Sequence, residues 1–331
     1  MTDLVWKPIQ SELHGIKNIY FSPTAALHKI GIEYLPGMGN YNIYRLSSTR
    51  ELVLGNETPT EKNAVLYGGL DYDAKWDSTS ITKSHALIDE MIKKRANVRS
   101  MGLRGSKEPL PHTKVEVDTI AEYLKNAQWV CLLDTAELGT EESFKSLSGK
   151  KINTLHIATH GFYYTSEEAD NIKYDFTPAD NNIATDEDKA LTRSGLIMSG
   201  GNHILERDSI PNNVEDGILT AKEIAHVDLR DLDLVVLSAC QTGLGDLSQG
   251  EGVFGLQRGF KKAGANSILM SLWKVDDEAT QILMTRFYKN FLSGQNKQQS
   301  LLSAQKYLKE YNKKYDNPKY WAAFILLDGV K

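Results

Sequence analysis

Apolar residues along this chain follow two spacings, which predict strands and helices in turn. From residue 64 onward, strand-like apolar runs alternate with helical patterns, as in a parallel α/β sheet. Before that point, short apolar runs are separated by Pro-Gly and Gly-Asn turns. The pattern predicts a β-rich N-terminal segment over residues 1–62 and an α/β core over residues 63–331. The strands expected in the first segment are IYF, LHKIGI, NIYRL and ELVL, at residues 19–21, 27–32, 42–46 and 51–54.

The clearest helix follows Pro111. Thr113 and Glu116 have the spacing of an N-terminal capping box. Apolar side chains then recur at helical spacing, at Val117, Ile120, Ala121 and Leu124. The helix is therefore amphipathic, and we expect it to cover one face of the sheet.

Further elements are predicted along the rest of the core. They are a short helix from Thr140, a helix over residues 253–263 ended by Gly264, helices over residues 278–292 and 298–311, and a last strand at residues 321–327.

Regular apolar spacing fades between residues 163 and 216. Acidic residues dominate the middle of this stretch, at Glu167, Glu168, Asp170, Asp175, Asp180, Asp186, Glu187 and Asp188. Such a composition predicts a solvated, mobile insertion. Self-cleavage there, or the docking of a regulator, is an alternative role for it.

Composition excludes several classes of protein. The 331 residues are 41% hydrophobic with a net charge of -5, so no general basic field is present to bind nucleic acid. No apolar run reaches the length of a membrane helix, and the N-terminus lacks the pattern of a signal peptide. Only two cysteines occur, Cys131 and Cys240, which fits reduced thiols. We expect a cytoplasmic protein without membrane or nucleic-acid partners.

Two strand-like runs end on reactive side chains. His160 follows the run LHIAT, and Cys240 follows VVLSA. Ligands of parallel sheets collect at the carboxyl ends of the strands. A thiolate at Cys240 would be a nucleophile, with His160 as its base or acid and the main-chain N–H groups of Gly161 and Cys240 as oxyanion donors.

Simpler readings of the same residues remain open. A cysteine at a strand end is often a small buried hydrophobe, and a single histidine is often structural. His156 lies in mid-strand and is expected to be a hydrogen-bonded residue of the core or of a sheet face, and Cys131 is expected in the core. No zinc motif or phosphate-binding loop with its lysine occurs, so we expect neither metal nor cofactor.

Several blocks of sequence together resemble the CHAT domain family of caspase-like cysteine peptidases. They are LHIATHG (155–161), DGILTAKEI (216–224), DLVVLSACQTGLG (233–245), the stretch 250–280, LMTRFYKNF (283–291) and YWAAFILLDG (320–329). The resemblance extends to the N-terminal segment. It implies a caspase-hemoglobinase α/β sandwich, with a mostly parallel central sheet flanked by helices. It also implies a catalytic Cys240–His160 pair that needs no cofactor.

The cysteine block departs from that of caspases. Ser238 precedes the Ala-Cys pair, and we expect it among the substrate-binding residues. Cys240 follows His160 by 80 residues, against about 50 in caspases. A caspase-like preference for aspartate is therefore not carried over.

Substrate preference is expected to depend on Asp277. The stretch LWKVDDEA resembles the W-x-V-x-D stretch of separases, with Asp277 at the acidic position and Asp276 beside it. A carboxylate there would pair with arginine or lysine, which predicts cleavage after basic P1 residues. Alternatively, the two aspartates only cap the helix that begins near Glu278.

The resemblance also bears on partners. Family members commonly act in regulated bacterial pathways, defence among them, in which an upstream repeat domain or a separate protein controls the peptidase. We therefore expect a protein substrate and an activating or inhibiting protein partner. Two alternatives stay open: a catalytically silent CHAT module that binds a signalling partner, and a small-molecule hydrolase using the same thiolate.

Overall fold

An eight-stranded, mostly parallel sheet forms the centre of the fold. The structure is a computed structural model that describes residues 1–53, 61–75, 107–163, 191–205, 214–239 and 252–330. Its strands are β1 (Asn18–Phe21), β2 (Asn42–Arg45), β3 (Asn63–Leu70), β4 (Val130–Ala136), β5 (Thr154–Ile157), β6 (Gly161–Tyr163), β7 (Ser194–Ile197), β8 (Ile218–Thr220), β9 (Leu234–Leu237), β10 (Ser267–Ser271) and β11 (Phe324–Leu327).

The order of strands across the main sheet is β1-β2-β11-β10-β9-β5-β3-β4. All neighbouring strands in this sheet run parallel to each other except β10 and β11, which are antiparallel. Every residue of β5, β9 and β10 is buried, as expected for central parallel strands with helices on both faces. The expectation of a mostly parallel α/β sandwich is confirmed.

Helices flank this sheet. They are α1 (Thr2–Val5), α2 (Pro111–Asn126), α3 (Glu141–Lys145), α4 (Asn202–Leu205), α5 (Ala221–Ile224), α6 (Gly252–Ala263), α7 (Asp277–Leu292), α8 (Lys297–Tyr311) and α9 (Pro318–Trp321). The apolar cluster on one face includes residues of α2, α7 and α8, and the cluster on the other includes residues of α3, α5 and α6.

The N-terminal residues extend the sheet at one edge, where β2 pairs with β11. Two of the four strands expected there form, as β1 and β2. The expectation for LHKIGI is wrong, since Ala25–Lys29 and Ile32–Tyr34 are short 3-10 helices, and Thr49–Leu52 is a third in place of the start of ELVL. The apolar side chains of LHKIGI pack around Trp6 in a cluster of their own, so they do not need a place in the sheet.

The expected capping box of α2 does not form. Leu110 is the N-cap residue, and no side chain caps the helix. Thr113 Oγ1 instead donates to the Leu110 carbonyl at 2.6 Å and accepts from the Gly69 amide of β3 at 3.0 Å. Tertiary contact with the strand therefore takes the hydroxyl that a local cap would use, and Glu116 is fully buried.

Other local predictions are confirmed. Thr140 caps α3 by accepting from the Ser143 amide. The helix α6 ends before Gly264, whose φ of +109° favours glycine. The helices α7 and α8 and the strand β11 form within a few residues of their predicted bounds.

A small antiparallel sheet of order β6-β7-β8 follows β5. Residues 191–205 and 214–216 belong to the predicted acidic insertion, and they include β7 and α4. The acidic residues Glu167 to Asp188 lie outside the described residues. No helix in the described ranges is long and apolar enough to cross a membrane.

Candidate active site

His160 lies just beyond the carboxyl end of β5, where the chain turns into β6. Its backbone is held by β7, because the Ile197 amide donates to the His160 carbonyl at 2.9 Å. The neighbouring Thr159 hydroxyl donates to the Ile197 carbonyl at 2.5 Å. These bonds fix the main chain that carries the imidazole.

The imidazole of His160 is held through one nitrogen. Nε2 lies 2.8 Å from the carbonyl oxygen of Glu108, and since a carbonyl only accepts, Nε2 carries the proton of this bond. The ring of Tyr72 packs against the imidazole, with ring centroids 5.2 Å apart. Nδ1 is buried and has no hydrogen-bond partner among the described residues. The free ring nitrogen is thus Nδ1, which accepts in the neutral tautomer.

Burial lowers the pKa of His160 below its usual value of 6.5. The bond to the Glu108 carbonyl and the charge of Asp277 act in the opposite direction, whereas Lys107 and Lys274 lower the pKa further. Near neutral pH the ring is therefore mostly uncharged, as a base must be before it takes a proton.

Cys240 lies outside the described residues, but the strand before it is described. β9 is the direct neighbour of β5, and Ile157 is the register partner of Leu237. His160 and Cys240 each follow that pair by three residues. The two strands that precede these residues are therefore neighbours in the sheet.

Ser238 continues the ladder by donating its amide to the Ile157 carbonyl at 2.9 Å. Its side chain is buried, and Oγ has no hydrogen-bond partner among the described residues. Gly161 is buried as the first residue of β6, opposite Leu196. The predicted roles of Ser238 in substrate binding and of the Gly161 amide as an oxyanion donor stay predictions.

Asp276 and Asp277 have different surroundings. Asp276 is the N-cap of α7 and accepts from the Ala279 amide at 3.0 Å. Asp277 is half-buried, and its Oδ2 accepts from the His112 amide at the start of α2 at 3.2 Å. Burial raises the pKa of Asp277, while the bond from His112 lowers it. The alternative that both aspartates are helix caps therefore holds for Asp276 alone.

Sequence reasoning missed the contacts made by Glu108 and Tyr72. Glu108 acts through its backbone carbonyl, which every residue has, so its identity carries no signal. Tyr72 follows the apolar run of β3, where an aromatic residue has no special meaning. The two contacts form because the segment before α2 and the residues after β3 both approach the end of β5.

His156 of β5 and Cys131 of β4 lie away from this site. His156 is fully buried on β5, with Nε2 2.9 Å from Glu116 Oε1. Burial raises the pKa of the Cys131 thiol to about 11. Cys131 packs at the rim of the apolar cluster that includes α2 and α7, so it is a core-facing residue.

One group of carboxylates among the described residues has the spacing of a metal site: Glu141, Glu215 and Glu223. The ammonium group of Lys145 forms ion pairs with all three, including distances of 2.8 Å to Glu215 and 2.9 Å to Glu223. A cation of the protein itself thus already neutralises part of this cluster.

Comparison with known proteins places the chain in a family. The model of the CHAT domain matches residues 1–329, so the chain belongs to the CHAT domain family. It is 26% identical over 220 residues to tetratricopeptide repeat protein 28 of Mus musculus, and 25% identical over 219 residues to the Homo sapiens protein of the same name. Each match covers 66% of this chain and 8% of the relative.

Solved structures of cysteine proteases are similar in outline. The Arg-specific cysteine proteinase gingipain R aligns with 99% of this chain and 67% of its own, at 9% identity and a TM-score of 0.47. The separase of Saccharomyces cerevisiae, in complex with securin, aligns with 94% of this chain and 15% of its own, at 10% identity and a TM-score of 0.45.

Proposed function

We propose that this chain is a cysteine endopeptidase that cleaves protein substrates through Cys240 and His160. The observation that carries the proposal is the His160 ring, which is fixed through Nε2 and leaves a buried Nδ1 without a partner among the described residues. The register of β5 and β9 supports the proposal, because the strand that precedes Cys240 lies directly beside the strand that precedes His160.

The chemistry follows from these groups. Nδ1 of His160 takes the proton of the Cys240 thiol, and the thiolate attacks the peptide carbonyl to form a C–S bond. His160 then gives that proton to the leaving amine as the C–N bond breaks. Water attacks the thioester and gives a proton to His160, the C–S bond breaks to release the acid, and His160 returns the proton to the thiolate. The amides of Gly161 and Cys240 serve as oxyanion donors, with Ser238 beside them.

We infer that Asp277 receives a basic P1 side chain. Its carboxylate acts electrostatically on His160, which fits a subsite next to the reacting groups. It is half-buried and does not cap its own helix, so an incoming guanidinium or ammonium group would be a favourable partner. Asp276 supports this subsite as the cap of α7.

Control by a protein partner is part of the proposal. The chain spans about 8% of the length of the curated relatives it matches, and the name of those relatives refers to tetratricopeptide repeats. An upstream repeat domain or a separate protein is the partner that we expect to control cleavage.

The test is digestion of a peptide library by the wild-type chain, Cys240→Ala and the matched control Cys131→Ala, with cleavage sites determined by mass spectrometry. We expect cleavage after Arg or Lys by the wild type and Cys131→Ala, and none by Cys240→Ala. A second probe is a peptidyl acyloxymethyl ketone with arginine at P1, which labels a catalytic thiol covalently even where peptide cleavage is too slow to detect. We expect it to label Cys240 alone. If the chain shows no cleavage and no labelling, the result favours a silent binding module.

A further inference from the structure

Three buried polar side chains on the α2 face of the sheet make no hydrogen bond to any other residue that the structure describes. They are Glu116 of α2, His156 of β5 and Tyr288 of α7, each with an exposed fraction of 0%. Both oxygens of Glu116, both ring nitrogens of His156 and the hydroxyl of Tyr288 have no hydrogen-bond partner among the described residues. Buried polar groups are nearly always bonded, so this cluster calls for a physical reason.

The closest contact in the cluster joins α2 to β5. His156 Nε2 lies 2.9 Å from Glu116 Oε1, although the two groups are not aligned as a hydrogen bond. The rings of His156 and Tyr288 pack edge to face, with their centroids 5.5 Å apart. A polar contact this close in a dry interior resists movement of the helix along the strand.

This contact lies between two elements that reach the candidate active site. Glu116 is one helical turn beyond His112, whose amide donates to Asp277. The same helix is preceded by Glu108, whose carbonyl accepts from His160. His156 lies on the strand that leads to His160.

Packing alone does not require a polar pair here. α2 already contacts β3 closely, since a Cβ at Gly68 would come within 2.6 Å of Val117. The buried side chains of Ile120 and Leu124 hold the rest of the helix. Replacing both partners of a buried polar contact by apolar residues of similar shape often leaves stability unchanged or raises it. Something other than stability is needed to explain Glu116 and His156.

We propose that Glu116 and His156 are positioning residues that hold the start of α2 in place, and thereby keep Glu108 against His160 and His112 against Asp277. This inference rests on the proposed function, because it assigns the pair a role at that active site. Tyr288 closes the cluster from α7.

The experiment is an NMR titration of His160 in the Cys240→Ala background, which needs no peptidase activity. His156→Phe leaves Glu116 without its contact, and the double variant Glu116→Leu/His156→Phe makes the pair apolar. The matched control, Leu124→Ala, removes a buried side chain further along α2. Thermal unfolding is measured for every variant.

We expect both variants at Glu116 and His156 to shift the pKa of His160, because the burial that lowers this pKa and the bond to Glu108 that raises it both depend on the position of the start of α2. Leu124→Ala should lose stability without moving the titration. In the active background, kcat for a basic peptide should fall by about 10-fold to 100-fold in the double variant, as expected for small misplacement of reacting groups.

An unchanged titration of His160 in a folded double variant would overturn the proposal. Failure of both variants to fold would also overturn it, since the pair would then serve stability. If the chain proves not to be a peptidase, only the kcat readout is lost, and the titration still decides whether the pair positions His160.

Discussion

Asp276 and Asp277 are adjacent in sequence but bind different helices. Asp276 accepts from Ala279 within α7, whereas Asp277 accepts from His112 at the start of α2. One carboxylate therefore begins a helix, and the other joins two helices beside His160.

This division predicts separate effects for two alanine variants. Asp276→Ala should lower the free energy of unfolding by about 1 kcal/mol, because an N-cap is lost, and should leave P1 preference unchanged. Asp277→Ala should lower kcat/KM for arginine substrates by a factor of about 30 or more, since the loss of one partner of a desolvated charge pair costs about 2 kcal/mol or more. Kinetics on matched Arg and Leu peptides and urea unfolding separate the two effects. Equal Arg-to-Leu ratios in wild type and Asp277→Ala would remove Asp277 from the subsite.

Acidification should destabilise the N-terminal segment through His28. Burial, with a smaller effect from Arg45, lowers the pKa of His28 from 6.5 to about 4. The unfolded chain therefore takes up the proton first, so this stability is complete above pH 6.5 and is lost as the pH falls through about 4. Urea unfolding of the wild type, His28→Gln and the exposed control His14→Gln at several pH values tests this. A pH dependence that is the same in His28→Gln as in the wild type would contradict it.

Close approach of α2 to β3 at Gly68 gives a packing prediction. A Cβ at Gly68 would lie 2.6 Å from Val117 Cγ1 and 2.8 Å from the Thr113 carbonyl. Gly68→Ala should therefore cost about 1–3 kcal/mol of stability, as overpacking does. Gly39→Ala is the control, because nothing lies within 4 Å of its added Cβ, and a small gain is expected there. Equal thermal unfolding midpoints in the two variants would show that α2 moves aside freely.

A buried ion pair joins β2 to the 3-10 helix Ile32–Tyr34 in the N-terminal segment. Arg45 of β2 donates to both oxygens of Glu33, at 3.0 and 2.7 Å, and to the Ile30 carbonyl at 2.6 Å. Arg45→Met should lower the free energy of unfolding by about 3–5 kcal/mol, because Glu33 is left buried without its partner. Arg230→Met removes an exposed pair with Asp228 and should leave the unfolding midpoint unchanged. A change in the free energy of unfolding well below this range for Arg45→Met would contradict the prediction, because it would mean that Glu33 takes up a proton at little cost.

The sequence predicted local structure correctly where residues close together in the chain determine it. Thr140 caps α3, Gly264 ends α6, and the apolar spacing of Val117, Ile120 and Leu124 gives the buried face of α2. The capping box at Thr113 does not form because the helix begins earlier, at Pro111, so Thr113 lies inside its first turn. Its hydroxyl accepts from the Gly69 amide of β3, a strand far away in sequence.

The sequence by itself determined the α/β class, through its apolar spacing, and membership of the CHAT domain family, through the order of its motifs. It also placed His160 and Cys240 beyond the ends of two strands. Tertiary structure alone decided that these strands are neighbours in register, that Glu108 holds the imidazole, and that Asp277 faces His112. The reason is physical: spacing along a chain records which face of an element is apolar, whereas backbone carbonyls and amides carry no residue identity. Their partners are set only when distant segments pack together.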